Sequence, residues 1–94
     1  MIKEMPTFRL WGKIYTGSHI TEDFVIEDGS GDRRTAKVVH AVTALCRRFD
    51  LAEPIWLDAN IREFQRTSRT RFSQDNFIEE IPFSFFEIQI IEED

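Results

Sequence analysis

The chain has 94 residues, of which 41% are hydrophobic and 13% aromatic, and it carries a net charge of −5. This composition excludes a disordered, a collagen-like or a membrane-spanning chain. A single cysteine excludes an internal disulfide framework and a multi-cysteine zinc site. We therefore expect one domain over residues 1–94, and the lack of an apolar N-terminal stretch predicts a cytoplasmic location.

The N-terminal third predicts a β-hairpin. Residues 7–16 alternate with a period of two, the pattern of a half-buried strand. Gly17-Ser18 suits a type II′ turn, and residues 19–28 then form a second strand. Gly12 lies on the apolar face of the first strand and indicates a bulge or a close approach of another element. The predicted core side chains of the hairpin are Phe8, Leu10, Ile14, Ile20, Phe24 and Ile26.

Residues 33–50 predict an amphipathic helix. Its apolar stripe recurs at steps of three and four residues and comprises Val38, Val42, Leu45 and Phe49, with Val39 and Cys46 at its edge. Asp32 is a better candidate than Ser30 for the N-terminal cap. Arg47 and Arg48 fall in the last turn, where the helix dipole favours cations.

The rest of the chain predicts shorter elements. In chain order these are a brief strand at residues 55–57, a helix over 59–67 capped by Asp58 with Ile61 and Phe64 inward, an extended stretch at 69–74, a helical turn from Asp75 to Ile81, and a last strand over 83–91. The predicted fold class is α+β: a small, mainly antiparallel sheet, formed by the N-terminal hairpin and the C-terminal strand, packs against two helices on one face.

Several segments carry a likeness to other proteins. They are Phe8-Arg9-Leu10-Trp11-Gly12-Lys13, Pro54-Ile55-Trp56-Leu57-Asp58, Thr70-Arg71-Phe72, Gln74-Asp75-Asn76-Phe77-Ile78-Glu79-Glu80, Glu87-Ile88-Gln89 and Glu92-Glu93-Asp94. In these segments the chain resembles a family of short uncharacterised bacterial proteins. The resemblance implies a compact bacterial domain of unknown function, and it implies no activity, cofactor or catalytic residue.

The residues with reactive or metal-binding side chains form no recognisable motif. His19, His40 and Cys46 lack the spacing of a zinc site. Asp28, Ser30 and Asp32 match the start of a calcium loop, but the Gly and Glu that such a loop needs further on are missing. No nucleophile motif is present, so we predict no catalytic residue, no metal and no cofactor.

Charge is unevenly distributed along the chain. Residues 73–94 hold seven acidic and no basic side chains, whereas residues 32–50 and 62–72 are each net +3. Either the acidic segment neutralises the basic segments within the fold, which we favour, or the basic segments bind an anionic partner. For the arginines that open the first helix, we favour Glu92, Glu93 or Asp94 over an external phosphate. The candidate anion-binding residues are Arg33, Arg34, Arg62, Arg66, Arg69 and Arg71.

An aromatic surface is the best-supported candidate site. Trp11, Tyr15 and Val25 lie on the strand faces opposite the predicted core, and Phe85 and Ile91 join them from the last strand. Trp and Tyr are frequent interface anchors. Either this face is exposed, or helix 59–67 covers it as a second core layer.

These observations favour a non-catalytic protein-interaction or accessory domain that binds a protein or a second copy of itself through Trp11, Tyr15, Val25 and Phe85. Binding of nucleic acid or a phosphate ligand through the arginines is the alternative. We expect no membrane contact.

Overall fold

The computed structural model describes residues 7–93. The strands are β1 (Phe8–Thr16), β2 (His19–Glu27), β3 (Arg69–Phe72) and β4 (Phe85–Glu93). The helices are α1 (Arg34–Phe49) and α2 (Asp58–Thr67), and a 3-10 turn spans Gln74–Asn76.

The four strands form one antiparallel sheet in the order β2-β1-β4-β3. Both helices contribute their buried side chains to the same face of this sheet, which confirms the predicted α+β class. The extended stretch predicted after α2 forms β3, which pairs with the C-terminal strand β4 rather than with the hairpin.

The β1–β2 hairpin forms as predicted. Gly17 has a φ of 63°, the left-handed value that a type II′ turn needs at its first central position. The register between the strands shifts between Ile14 and Tyr15, so of the two alternatives for Gly12 the bulge is not the one that forms.

The core combines the inward-facing strand residues with the stripe of α1. Leu10, Phe86, Ile88 and Leu45 are fully buried. A Cβ built on Gly12 would lie 2.6 Å from Leu45 Cδ1, so Gly12 permits the close approach of α1 to β1 that the sequence indicated. Ile20, predicted to be in the core, is exposed instead, because it lies beyond the register shift near the hairpin turn.

The helix starts differ from the predictions. α1 has Arg33 at its N-cap position and no side-chain cap, so neither Asp32 nor Ser30 caps it. Both residues precede that position, and the Asp32 N–H donates to Ser30 Oγ within the loop. Asp58 is the first residue of α2 rather than its cap, and Asn60 Oδ1 accepts from the Leu57 N–H.

Two further local predictions are wrong. Residues 55–57 form no strand, because Ile55 is bonded through its N–H and its carbonyl to Asn76 in a loop. The helical turn predicted from Asp75 to Ile81 is limited to the 3-10 turn. Phe77 is buried as expected, whereas Ile78 is 90% exposed.

Candidate interaction surface

The face of the sheet opposite the helices, hereafter the open face, carries the predicted aromatic residues. Strand alternation places Trp11 and Tyr15 of β1 on this face. The register sets Val25 of β2 beside Trp11 and Phe85 of β4 beside Tyr15. The structure thus brings all four predicted interaction residues onto one surface.

These four side chains are half-buried by one another and by their neighbours rather than by a covering layer. The rings of Tyr15 and Phe85 stack with centroids 4.6 Å apart. Trp11 Nε1 donates a hydrogen bond of 2.9 Å to Asp23 Oδ2, which fixes the indole beside β2.

Neither helix covers the open face. On α2, Asn60 bonds to Thr70 and Phe64 packs on Trp56, and both contacts lie on the core side of the sheet. Within residues 7–93 no element packs over Trp11 and Tyr15. The alternative in which helix 59–67 makes this face a second core layer is therefore wrong.

A row of charged side chains crosses the open face between the aromatic residues. In the register, Asp23 of β2, Lys13 of β1, Glu87 of β4 and Arg71 of β3 lie side by side, so the charges alternate in sign across all four strands. We call these four residues the ionic row. Lys13 and Glu87 at its centre are only 5% and 2% exposed.

The central carboxylate is fully engaged. Glu87 Oε2 lies 3.2 Å from Lys13 Nζ, and Glu87 Oε1 accepts from Arg71 Nε at 3.1 Å. Lys13 also donates to Gln89 Oε1. A buried charge is tolerated only when such partners compensate its lost hydration, so these contacts hold the row in place.

The cations of the row also lie against the aromatic rings. Lys13 Nζ is 3.9 Å from the centroid of the Trp11 ring, and Arg71 Cζ is 4.2 Å from that of Phe85. Both distances are within the range of cation–π attraction. Aromatic and ionic residues therefore form one rigid platform.

The sequence places Lys13 on the strand face of Trp11 and Glu87 on that of Phe85, but it predicted neither as an interaction residue and assigned Arg71 to anion binding. An isolated Lys or Glu on the polar face of a strand is usually solvated. Only the pairing of β1 with β4, which is distant in sequence, reveals that the two are neighbours. No local pattern in the sequence distinguishes these two residues from solvated ones.

The predicted arginines divide into three groups. Arg34 Nε pairs with Glu93 Oε2 at 2.9 Å, and Arg34 also donates to Ser68 Oγ, so the anion at the start of α1 is a carboxylate of the chain, as favoured. Arg62, Arg66 and Arg71 line a concavity of about 540 Å³ beside α2 and β3, together with Glu63 and Asp75. Arg33 and Arg69 are exposed and do not line it.

The sequence did not predict an apolar groove between the helices. It has a volume of about 400 Å³ and contains Val39, 50% exposed, and Ile61, 41% exposed. Ile61 was predicted to face inward. It lies at the groove instead, because α2 packs mainly on β3 and makes little contact with α1.

Cys46 is buried in the core, and this burial together with the nearby charge of Glu53 raises the pKa of its thiol to about 12. Hydrogen bonds from Ser30 lower the pKa of Asp28 in the loop before α1. Among residues 7–93, no group of three or more His, Cys, Asp or Glu side chains could hold a metal ion. No helix in that range is long and apolar enough to cross a membrane.

Comparisons with protein-family models, with curated proteins and with solved structures find no match to this chain. Its likeness to short bacterial proteins stays a prediction. The geometry of the open face is therefore the feature of this chain that bears on its function.

Proposed function

We propose that this chain is a non-catalytic protein-interaction domain of the cytoplasm that binds a protein, or a second copy of itself, through the open face. The observation that carries the proposal is that Trp11, Tyr15, Val25 and Phe85 share one face over which no described element packs.

The chemistry of the open face supports this function. Trp, Tyr and Arg are the residue types most enriched among interface residues that dominate binding energy, and Trp11, Tyr15 and Arg71 occur together here. Their side chains are already fixed by stacking and hydrogen bonds, which reduces the conformational entropy lost when a partner binds.

The first test is the mass of the chain in solution, measured by light scattering at low and high salt. We expect a dimer that persists at high salt, because an aromatic contact is insensitive to ionic screening. In the variant Trp11→Ala with Tyr15→Ala the dissociation constant should rise at least about 30-fold, because truncating even one such anchor costs about 2 kcal/mol and the variant removes two.

The matched control is Val39→Ala with Ile61→Ala, which trims exposed apolar side chains from the groove between the helices. Thermal melts of both variants check folding. If the wild-type chain is monomeric, the same variants are compared in capturing a partner from a cell extract. Equal capture of the partner by the wild-type chain and the Trp11/Tyr15 variant would exclude the open face as the binding surface.

The concavity lined by Arg62, Arg66 and Arg71 favours a second candidate, the binding of nucleic acid or a phosphate ligand. We expect Arg62→Gln with Arg66→Gln to weaken binding of a short oligothymidine strand at least tenfold and to reduce its salt dependence. Arg47→Gln with Arg48→Gln changes the charge equally and is the control. Inorganic phosphate, tested alone, separates a small anion site from a nucleic-acid site.

A further inference from the structure

The two edges of the sheet differ in how their backbone groups are satisfied. At the β3 edge, the Ser68 carbonyl accepts from the Ile90 N–H of β4. Hydrogen-bonded and non-hydrogen-bonded pairs alternate along an antiparallel ladder. Arg69 and Arg71 belong to the non-hydrogen-bonded pairs, so their carbonyls point away from the sheet. Thr67 Oγ1 donates to the Arg69 carbonyl at 3.0 Å, and Asn60 Nδ2 donates to the Arg71 carbonyl at 2.9 Å.

Side chains of α2 therefore cap the outward carbonyls of the β3 edge. The protection continues beyond the strand, where the Ser73 N–H donates to Asn76 Oδ1. Capping of edge carbonyls in this way is one means by which sheets avoid unwanted pairing.

Within residues 7–93, no side chain caps the backbone groups of the β2 edge in this way. β2 is nine residues long and, within the sheet, is bonded only to β1. The Asp28 N–H donates to the Phe8 carbonyl, so these two residues form a hydrogen-bonded pair of the β1–β2 ladder. Such pairs occur at every second residue of an antiparallel ladder. The backbone N–H and C=O groups of the intervening residues Asp23, Val25 and Glu27 therefore point outward. These outward groups are a template for one more strand.

Charge limits what can bind there. Residues 19–28 contain Glu22, Asp23, Glu27 and Asp28 and no Lys or Arg. Antiparallel pairing of β2 with a second β2 around Val25 would place Asp23 opposite Glu27 of the other copy, and like charges at such positions repel. The β3 edge of a second copy is also disfavoured, because its outward carbonyls already accept hydrogen bonds from α2 side chains.

We propose that β2 accepts an extended, basic segment of a different protein as a fifth strand. On the open face, the added strand would lie beside Asp23, Val25 and Glu27. Each carboxylate is engaged through one oxygen, Asp23 with Trp11 and Glu27 with Arg9 at 3.3 Å, and both side chains are exposed. This favours a basic, an apolar and a basic side chain at alternate positions of the added strand. The inference rests on the proposed function, since the new strand would extend the open face beyond Val25.

The probe is the peptide acetyl-Thr-Lys-Thr-Val-Thr-Lys-Thr-amide, added to the full ¹⁵N-labelled chain and followed by NMR. We expect shifts along β2 and, at saturation, at least tenfold slower hydrogen exchange of the Asp23, Val25 and Glu27 amides. The Arg69 and Arg71 amides of the capped edge should not change. A peptide with Glu in place of both Lys should bind at least tenfold more weakly.

Asp23→Lys with Glu27→Lys should weaken peptide binding at least tenfold. Glu79→Lys with Glu80→Lys changes the charge equally in an exposed loop and should leave it unaltered. Thermal melts confirm that both variants fold. Equal binding by both would overturn the charge argument.

The outcomes separate this inference from the proposed function. Shifts confined to Trp11, Tyr15 and Phe85 would overturn strand addition but support the open face as a binding surface. Shifts at Val39 and Ile61 would contradict both. No shift at millimolar peptide overturns strand addition, whereas the light-scattering test decides the proposed function independently.

Discussion

At the scale of single residues, burial determines what Cys46 can do. The side chain is 1% exposed, and its pKa is raised from an ordinary value of 9.0 to about 12. At pH 8 the thiolate population is thus about a thousandfold lower than in an unfolded chain. We expect Ellman's reagent to react with Cys46 at least a hundredfold more slowly in the native chain than in denaturant. Equal rates would show that the thiol is accessible.

The same shift predicts how stability depends on pH. Because the folded chain has the higher pKa, the contribution of Cys46 to stability is complete below pH 9 and is lost as the pH rises towards 12. Urea melts at pH 8 and 10.5 should therefore show a larger loss of stability for the wild-type chain than for Cys46→Ala. An identical loss in both would place the thiol in an ordinary environment.

At the scale of elements, the packing of α1 on β1 depends on Gly12. A methyl group at this position would lie 2.6 and 2.8 Å from the two terminal carbons of Leu45, which is fully buried and cannot move into solvent. Gly12→Ala should lower the free energy of unfolding by about 1–3 kcal/mol, the usual cost of overpacking a core. Urea denaturation measures this change.

Gly31→Ala is the matched control, because a Cβ at Gly31 meets no atom within 4 Å. Combining Gly12→Ala with Leu45→Ala should give less destabilisation than the sum of the two single changes, since the smaller side chain relieves the clash. Strict additivity would mean that the two positions are not in contact.

Elements set by local chemistry were predictable from the sequence. The turn at Gly17 and the stripe of α1 follow from residues that are close together in the chain. The start of α2 was not predictable in the same way. Asn60 bonds to the Leu57 N–H, Thr70 and the Arg71 carbonyl, and these last two partners lie ten and eleven residues away. Tertiary contacts of this kind leave no local pattern.

At the scale of the whole molecule, the sequence predicted the membership of the open face but not its structure. Period-two alternation was enough to place Trp11, Tyr15, Val25 and Phe85 on one side of a sheet. That Lys13 and Glu87 are buried among them depends on the strand order, which alternation does not specify.

The sequence predicted the neutralisation of the basic segments only in part. The C-terminal strand does neutralise one arginine of each basic segment, through the pairs Arg34–Glu93 and Arg71–Glu87. Arg62 and Arg66 have no acidic partner within 4.0 Å among residues 7–93. Ion pairing depends on which side chains are neighbours in space, and the net charge of a segment does not reveal this.

The ionic row has a consequence for how the chain assembles. Packing favours β1 as the strand that pairs with β4, because Phe8, Leu10 and Ile14 are buried on its core side, whereas Glu22 lies on the core side of β2. The ionic row adds to this preference. Docking through β1 places Lys13 next to Glu87, whereas docking through β2 would place Asp23 there, where the two carboxylates repel. The row thus favours the native strand order over the reversed one.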